Sequence, residues 1–200
     1  MHLSSILFST LLFYKNIKAH EPRNLGESRV FDVTSINNAK IGTIKITQGH
    51  EGIVIRSNIS CLSTGGHGFH IHQTASCLHH TKFKSAKSHI GVKDSTQQSS
   101  KLNACGYESC SHGFYNRYGP HEGDLPNLIS NCNSDCSCST QAEMYNHMLN
   151  LFPQDNNKPA LLEIGAAFII HAKEDEHING RDNIGNSGSR FACAEVKARG

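Results

Sequence analysis

The sequence has no tryptophan, little charge and no apolar run long enough to cross a bilayer. Charged residues make up 18% of its 200 residues, and the net charge is +2 with histidine neutral. This excludes the basic footprint that binding to nucleic acid or to an anionic membrane surface would require. Internal repeats and low-complexity tracts are also missing. Hydrophobic residues make up 37% of the chain, which is enough for one core. We therefore expect a single folded domain.

The first apolar stretch lies at the N-terminus, where residues 3–14 are rich in Leu, Ile, Phe, Ser and Thr. It is too short to span a bilayer but suits the hydrophobic region of a secretion signal. We expect cleavage near Ala19, so that residues 1–19 form a signal peptide. Residues 20–200 then form one mature domain, without a membrane span, in a secreted or periplasmic location. The alternative is a buried N-terminal strand.

Histidine and cysteine are unusually frequent for their type, with 14 and 8 copies. Eight cysteines in an exported protein favour disulfides over thiol chemistry. Cys136-Ser137-Cys138, together with Cys132, has a second interpretation as a thiolate site, because soft ligands select Cu(I). Additional disulfides are the simpler alternative.

One stretch, His67-Gly68-Phe69-His70-Ile71-His72, contains a His-x-His pair. Alternate side chains of a β-strand share a face, so His70 and His72 project one way while Phe69 and Ile71 point into the opposite layer. Two neutral imidazoles on one face form a bidentate site for copper or zinc. On its own, such a pair is more often two ordinary surface histidines than a metal site.

The rest of the chain reads mainly as short strands and long loops. Alternating runs rich in Val, Ile and Thr predict an antiparallel meander that leads into the His70 strand. Residues 78–111 are polar and are expected to be a loop, and residues 143–152 fit either a helical turn or a strand. The predicted strands cover residues 29–35, 40–47, 52–60, 161–172 and 190–197.

Four segments of the chain combine histidine, acidic, glycine and cysteine residues in distinctive motifs. They are Gly68-Phe69-His70-Ile71-His72, Gly123-Asp124-Leu125-Pro126-Asn127, Ile169-Ile170-His171-Ala172-Lys173-Glu174-Asp175 and Gly185-Asn186-Ser187-Gly188-Ser189-Arg190-Phe191-Ala192-Cys193. In this order they resemble motifs of the copper–zinc superoxide dismutase family, and the resemblance covers about residues 30 to 197. It implies an all-β fold, an eight-stranded antiparallel Greek-key barrel or sandwich with long metal-binding and electrostatic loops.

The resemblance also implies two metal sites. The copper ligands would be His70, His72 and His171. The family's H-G-x7-H-x-G-D spacing is matched by His112, His121 and Asp124, which would bind zinc. A further histidine should bridge both metals, and Ser85-Ala86-Lys87-Ser88-His89 resembles the family's S-A-x-x-H. We choose His89 as the bridge, with His79 and His80 as alternatives.

Further roles follow from the same motifs. Asp175 would accept N–H bonds from His70 and His112 and fix both rings. Arg190 would attract and orient a small anion beside the copper. Cys77 and Cys193 match the family's disulfide. The pairing of the other cysteines stays open, namely Cys61, Cys105, Cys110, Cys132, Cys136 and Cys138.

The function implied is dismutation of superoxide, the expected substrate, with copper and zinc as cofactors. A homodimer is an open alternative for the assembly. The competing interpretation is a copper-binding or copper-delivery protein with a superoxide-dismutase-like body, suggested by the C-x-C. A third is a catalytically weak relative, against which the complete ligand set argues.

Overall fold

Eight antiparallel strands form one sheet that curls into a nearly closed barrel in the computed structural model. The structure describes residues 23–92, 112–114, 120–177 and 185–199. The predicted signal peptide and two of the cysteines, Cys105 and Cys110, lie outside these residues. The prediction of an eight-stranded antiparallel fold is confirmed.

The strands follow one another around the sheet in the order β5-β4-β7-β8-β1-β2-β3-β6. The two edge strands, β5 and β6, approach each other and narrow the remaining seam. The strands are β1 (Ser28–Ser35), β2 (Lys40–Gln48), β3 (Ile53–Ser60), β4 (Gly65–His72), β5 (Asp124–Ser130), β6 (Ser139–Asn146), β7 (Ala166–His171) and β8 (Arg190–Val196).

Alternation along the first strands builds the inside of the barrel. In β2 Ile44 and Ile46 are fully buried, while Lys45 between them is exposed. Across the ladder, Ile46 pairs with Ile55 of β3. Fully burying such a side chain is worth about 1.5–3 kcal/mol, so this inward row drives the meander to fold. The three strands predicted for residues 29–35, 40–47 and 52–60 are confirmed to within a residue at each end.

Strand β5 was not predicted from the sequence. Its residues Asp124, Pro126 and Asn127 are depleted in strands, which hides the pattern. Proline has no N–H to donate, and an edge strand tolerates it because one side of that strand has no neighbour in the ladder. Pro126 is exposed on this edge. The undecided stretch 143–152 begins as the second half of β6.

The prediction of one strand over residues 161–172 was wrong for its first four residues, whereas β7 confirms a strand that ends at His171. A short helix, α1 (Leu161–Ile164), comes first and ends at Gly165, whose φ is +71°. Glycine reaches this left-handed region without steric cost, so the chain turns there before β7 begins. All six residues of β7 are buried. Phe168 and Ile170 face the barrel core.

A loop after β4 covers the outer face of β4 and β7. It contains two short 3₁₀ turns, His79–Thr81 and Lys84–Ala86. Phe83 of this loop is fully buried and belongs to a small cluster with Ile169 and Cys193, outside the main core. The Cys77–Cys193 disulfide ties the loop to β8. His70 and His72 of β4 point into the space between the barrel wall and this loop.

The remaining cysteines of the described chain also form disulfides, Cys61–Cys136 and Cys132–Cys138. The simpler interpretation of the C-x-C motif therefore holds in this structure, since neither of its sulfurs is a thiolate. Among the described residues, none of the helices combines the length and apolar character needed to cross a bilayer.

Candidate metal centre

Four buried histidines meet on the outer face of the barrel, beneath the covering loop. His70 and His72 alternate with the core residues Phe69 and Ile71 of β4, and His171 ends the neighbouring strand β7. The fourth, His89, pairs its backbone with that of His72 in an isolated bridge. One ring nitrogen from each of the four lies within 4.8 Å of the others. We call His70, His72, His89 and His171 the four-histidine group.

Three rings of this group are held through one nitrogen and leave the other without a partner. The Nδ1–H of His72 donates to Lys87 O at 2.8 Å, and the Nδ1–H of His171 donates to Gly188 O at 3.1 Å. The Nε2–H of His70 donates to Asp175 Oδ2 at 2.6 Å. The opposite nitrogens, His70 Nδ1, His72 Nε2 and His171 Nε2, are buried and have no hydrogen-bond partner. Metal-ligating histidines are typically oriented in this way.

Charge also favours ligation by the four-histidine group. Burial lowers the pKa of His70 and His171 to about 3 and that of His89 to about 4. Burial likewise holds the pKa of His72 well below its usual value. All four imidazoles are therefore neutral at pH 7, and each has a lone pair available for a cation.

A second group, the zinc-type group, consists of His89, His112, His121 and Asp124, whose ligand atoms again lie within 4.8 Å of one another. Asp124 Oδ1 is 2.9 Å from His89 Nδ1 and 3.1 Å from His112 Nδ1. Its Oδ2 accepts the main-chain N–H of His121 and of Gly113, which fixes the carboxylate. Three imidazoles and one carboxylate are a donor set that suits tetrahedral zinc.

The electrostatics of the zinc-type group centre on Asp124. Burial alone would raise the pKa of this carboxyl, but hydrogen bonds from His112, His121 and His89 outweigh it and hold the pKa below its usual range. For His112, burial would lower the pKa, yet the hydrogen bonds to Asp124 and Asp175 raise it to about 9. The Asp124 carboxylate therefore stays ionised, because the hydrogen bonds from the histidines outweigh the effect of burial on its pKa.

Asp175 joins the two groups. Its Oδ2 accepts the Nε2–H of His70 at 2.6 Å and the Nε2–H of His112 at 2.7 Å. Asn127 of β5 holds this loop in place, because its side chain donates to Asp175 O and accepts from Asp175 N. No role was predicted for Asn127, although it closes the Gly123–Asn127 motif, because its contacts with Asp175 form only in the folded chain.

His89 belongs to both groups, whereas His79 and His80 belong to neither among the described residues. The Nδ1 of His89 faces Asp124, which leaves Nε2 for the four-histidine group. His79 lies in the first 3₁₀ turn, with its ring centroid 5.1 Å from that of Phe83. His80 lies in the same turn and is exposed.

A pocket of about 270 Å³ leads to the four-histidine group, and its lining includes His72, His89, His171 and Arg190. Arg190 begins β8 and pairs with His171 across the sheet. Its guanidinium donates to Phe83 O and to Lys87 O, so the charge is fixed at the pocket wall. The carbonyl of Lys87 therefore accepts hydrogen bonds from both Arg190 and His72.

The backbone of Lys87, which carries this carbonyl, has φ +62° and ψ −142°, a conformation that favours glycine. Such a conformation costs a non-glycine residue about 1–3 kcal/mol. We expect Lys87→Gly to raise the free energy of unfolding by about 1 kcal/mol, and Tm by about 2–4 °C, after the entropy cost of glycine. Lys87→Ala is the matched control, because it removes the same charge but keeps the strain. Equal stability of the two variants in thermal unfolding would contradict the prediction.

Comparison with known proteins places the chain in a family. The family model described as "Copper/zinc superoxide dismutase (SODC)" matches residues 40–196. "Superoxide dismutase [Cu-Zn] 2" of Aquifex aeolicus is 29% identical over 201 residues, covering 98% of each chain. "Superoxide dismutase [Cu-Zn]" of Haemophilus ducreyi is 30% identical over 161 residues, covering 80% of this chain and 70% of that relative.

Solved structures agree with this assignment. A SOD-like protein from Bacillus subtilis has a TM-score of 0.66 at 28% identity, covering 84% of this chain and 97% of that one. The Cu/Zn superoxide dismutase from Brucella abortus, at 20% identity and a TM-score of 0.59, shares the fold. With matching motifs, fold and family model, the chain belongs to the copper/zinc superoxide dismutase family.

Proposed function

We propose that this protein converts two superoxide anions and two protons into dioxygen and hydrogen peroxide at the histidine-rich centre. The observation that carries the proposal is the sharing of His89 between a group of four imidazoles and a group of three imidazoles with one carboxylate. The first donor set suits copper and the second suits zinc. The family to which the chain belongs uses both metals.

The two metals share one ligand, His89, in this proposal. Copper would be held by His70, His72, His89 and His171, and zinc by His89, His112, His121 and Asp124. The support for copper is the set of buried nitrogens without hydrogen-bond partners on three of its ligands. When bound, copper supplies the one-electron carrier, while zinc has no redox chemistry and holds the geometry of the loops.

The side chains around the centre bind the substrate and handle protons. Arg190 attracts the superoxide anion, and its two carbonyl partners keep the guanidinium at the pocket wall. His89 presents one ring nitrogen to each group, so the nitrogen on the pocket side can carry a proton. Asp175 accepts an N–H bond from His70 and another from His112 and thereby fixes the orientation of both rings.

The direct test is metal analysis together with a superoxide assay on the mature chain. We expect about one copper and one zinc per chain, in line with the two groups. Asp124→Ala should lose zinc before copper, because only the zinc-type group contains this carboxylate. Full activity in a copper-free sample would overturn the proposal.

Reversing the charge of Arg190 is expected to slow the encounter with superoxide. Electrostatic steering is worth roughly 10–10³ in association rate, so Arg190→Ala should lower kcat/KM by about tenfold or more and Arg190→Glu by more still. Copper and zinc content should change little. Raising the salt concentration should slow the unaltered protein and have less effect on Arg190→Ala.

The matched control is Arg56→Glu, which makes the same change in net charge on the exposed face of β3, where Arg56 pairs with Glu143. Its kcat/KM should remain close to that of the unaltered protein. An Arg190→Glu variant as active as Arg56→Glu would show that Arg190 only anchors the covering loop.

The location outside the cytosol is part of the same proposal. Its support is the three disulfides, which persist in oxidising compartments. Mass spectrometry of the exported chain tests the removal of residues 1–19, and light scattering tests the homodimer. The copper-delivery alternative rested on free C-x-C thiolates, and Cys136 and Cys138 are both in disulfides.

A further inference from the structure

Four cysteine sulfurs form a second cluster, in the loops that join β3 to β4 and β5 to β6. The Cys61–Cys136 bond joins Cα atoms 4.1 Å apart, and the Cys132–Cys138 bond joins Cα atoms 5.4 Å apart. Only Ser137 separates Cys136 from Cys138, so their Cα atoms are within about 7 Å of each other. All four sulfurs therefore occupy one small region. We call these residues the cysteine cluster.

The sheet itself holds this region together, independently of the disulfides. β3 ends at Ser60 and β6 begins at Ser139, and these two residues face each other in the antiparallel ladder. Cys61 follows Ser60 directly, and Cys138 directly precedes Ser139. The end of the ladder thus brings these two cysteines close to each other, although they are bonded to different partners.

Hydrogen bonds between the two loops add to this restraint. The main-chain N–H of Ser134 donates to Leu62 O at 2.8 Å, and that of Asn133 donates to Thr64 Oγ1 at 3.1 Å. Within the loop, Asp135 N donates to Cys132 O and Cys138 N donates to Asp135 O. None of these contacts involves a sulfur atom, so opening the disulfides leaves the four thiols adjacent.

The cluster is accessible to a reductant and contains a group that stabilises a thiolate. Cys136 is exposed, and its partner Cys61 is half-buried. The hydroxyl of Thr140, which is buried, donates to Cys132 Sγ at 3.9 Å. Donors to sulfur favour the thiolate, which is the form of cysteine that binds metals. A small dithiol can therefore reach the outer disulfide first.

We propose that the reduced cysteine cluster binds one cation of the thiolate-preferring d¹⁰ class, Zn(II) or Cu(I). Each disulfide takes up two electrons and two protons from a dithiol, which is itself oxidised to a disulfide. The cation then displaces the thiol protons and binds the sulfurs. Four thiolates in one region are a donor set that suits tetrahedral zinc, and soft sulfur ligands also select Cu(I). This inference does not depend on the proposed dismutase activity.

The test compares metal uptake by the full chain in its oxidised and reduced forms. Zn(II) is titrated into both forms, without oxygen, after the dithiol has been removed, and Cu(I) is titrated in a parallel experiment. The oxidised form should bind metal only at the histidine-rich centre. The reduced form should bind one further equivalent, and X-ray absorption should show added sulfur neighbours at about 2.3 Å for zinc. The arm with the tighter binding identifies the preferred cation.

Variants locate the additional equivalent. Cys136→Ser/Cys138→Ser should lose it. Cys77→Ser/Cys193→Ser is the matched control, since it removes one disulfide elsewhere and leaves the cluster whole; Cys105→Ser/Cys110→Ser removes two further cysteines. Both controls should keep the additional equivalent.

Any of three titration results would overturn the proposal: no additional metal on reduction, additional metal that survives in Cys136→Ser/Cys138→Ser, or its loss in either control. Circular dichroism accompanies each titration. Loss of the β-sheet spectrum on reduction would also overturn the proposal, because it requires the two loops to stay together.

Discussion

Replacing His171 by alanine is expected to abolish dismutation. His171 is at the end of β7, lines the pocket beside Arg190 and has a buried Nε2 without a hydrogen-bond partner. Alanine leaves three imidazoles in the four-histidine group and removes the ring next to the site of anion entry. Turnover should fall to the background rate even with copper in excess. Zinc content should stay near one per chain, because His171 is outside the zinc-type group.

The control for this variant is His147→Ala, which removes an exposed histidine that belongs to neither group. It should keep both metals and full turnover. Substantial activity of His171→Ala would mean that the reacting centre is elsewhere, and loss of zinc to the same extent as copper would contradict the assignment of His171 to the four-histidine group alone.

His89→Ala should affect both metals at once. The Nδ1 of His89 is 2.9 Å from Asp124 Oδ1, and its ring centroid is 4.1 Å from that of His70, so one side chain contacts members of both groups. We expect loss of zinc, weaker copper binding and a changed copper spectrum, measured by metal analysis and by electron paramagnetic resonance.

His79→Ala and His80→Ala are the matched controls and should change the metal content and the copper spectrum very little. The reverse pattern would assign the bridge to that pair and leave His89 as a loop residue. If all three substitutions were silent, copper would be held by His70, His72 and His171 alone, and the protein would be a copper-only variant.

Local sequence patterns were sufficient for the parts of the fold that depend on local alternation. The period of two in β2 and in His70–His72 is set by strand geometry, so it is visible without the rest of the chain. β5 was missed because Asp124 and Pro126 carry the signals of a turn, and only their position at the edge of the sheet makes a strand acceptable. The end of α1 depended on the positive φ of Gly165, which residue type alone does not reveal.

The parts of the site that depend on distant contacts were harder to predict. The family motifs singled out seven potential ligands, and the structure brings these residues into two groups that share one member. The reciprocal hydrogen bonds between Asn127 and Asp175 join residues that are 48 positions apart, so no local pattern signals them. The Cys61–Cys136 disulfide likewise joins residues that are 75 positions apart, so no local pattern signals it.

The position of Asp175 predicts that cation binding at the two groups is thermodynamically linked. One carboxylate oxygen orients His70 of one group and His112 of the other. A cation that immobilises either ring therefore removes part of the ordering cost that a second cation would otherwise meet at the other ring. By reciprocity, each cation raises the affinity for the other by the same factor. We therefore expect loading of the centre to be cooperative, with Asp175, which need not touch either cation, setting the size of that cooperativity.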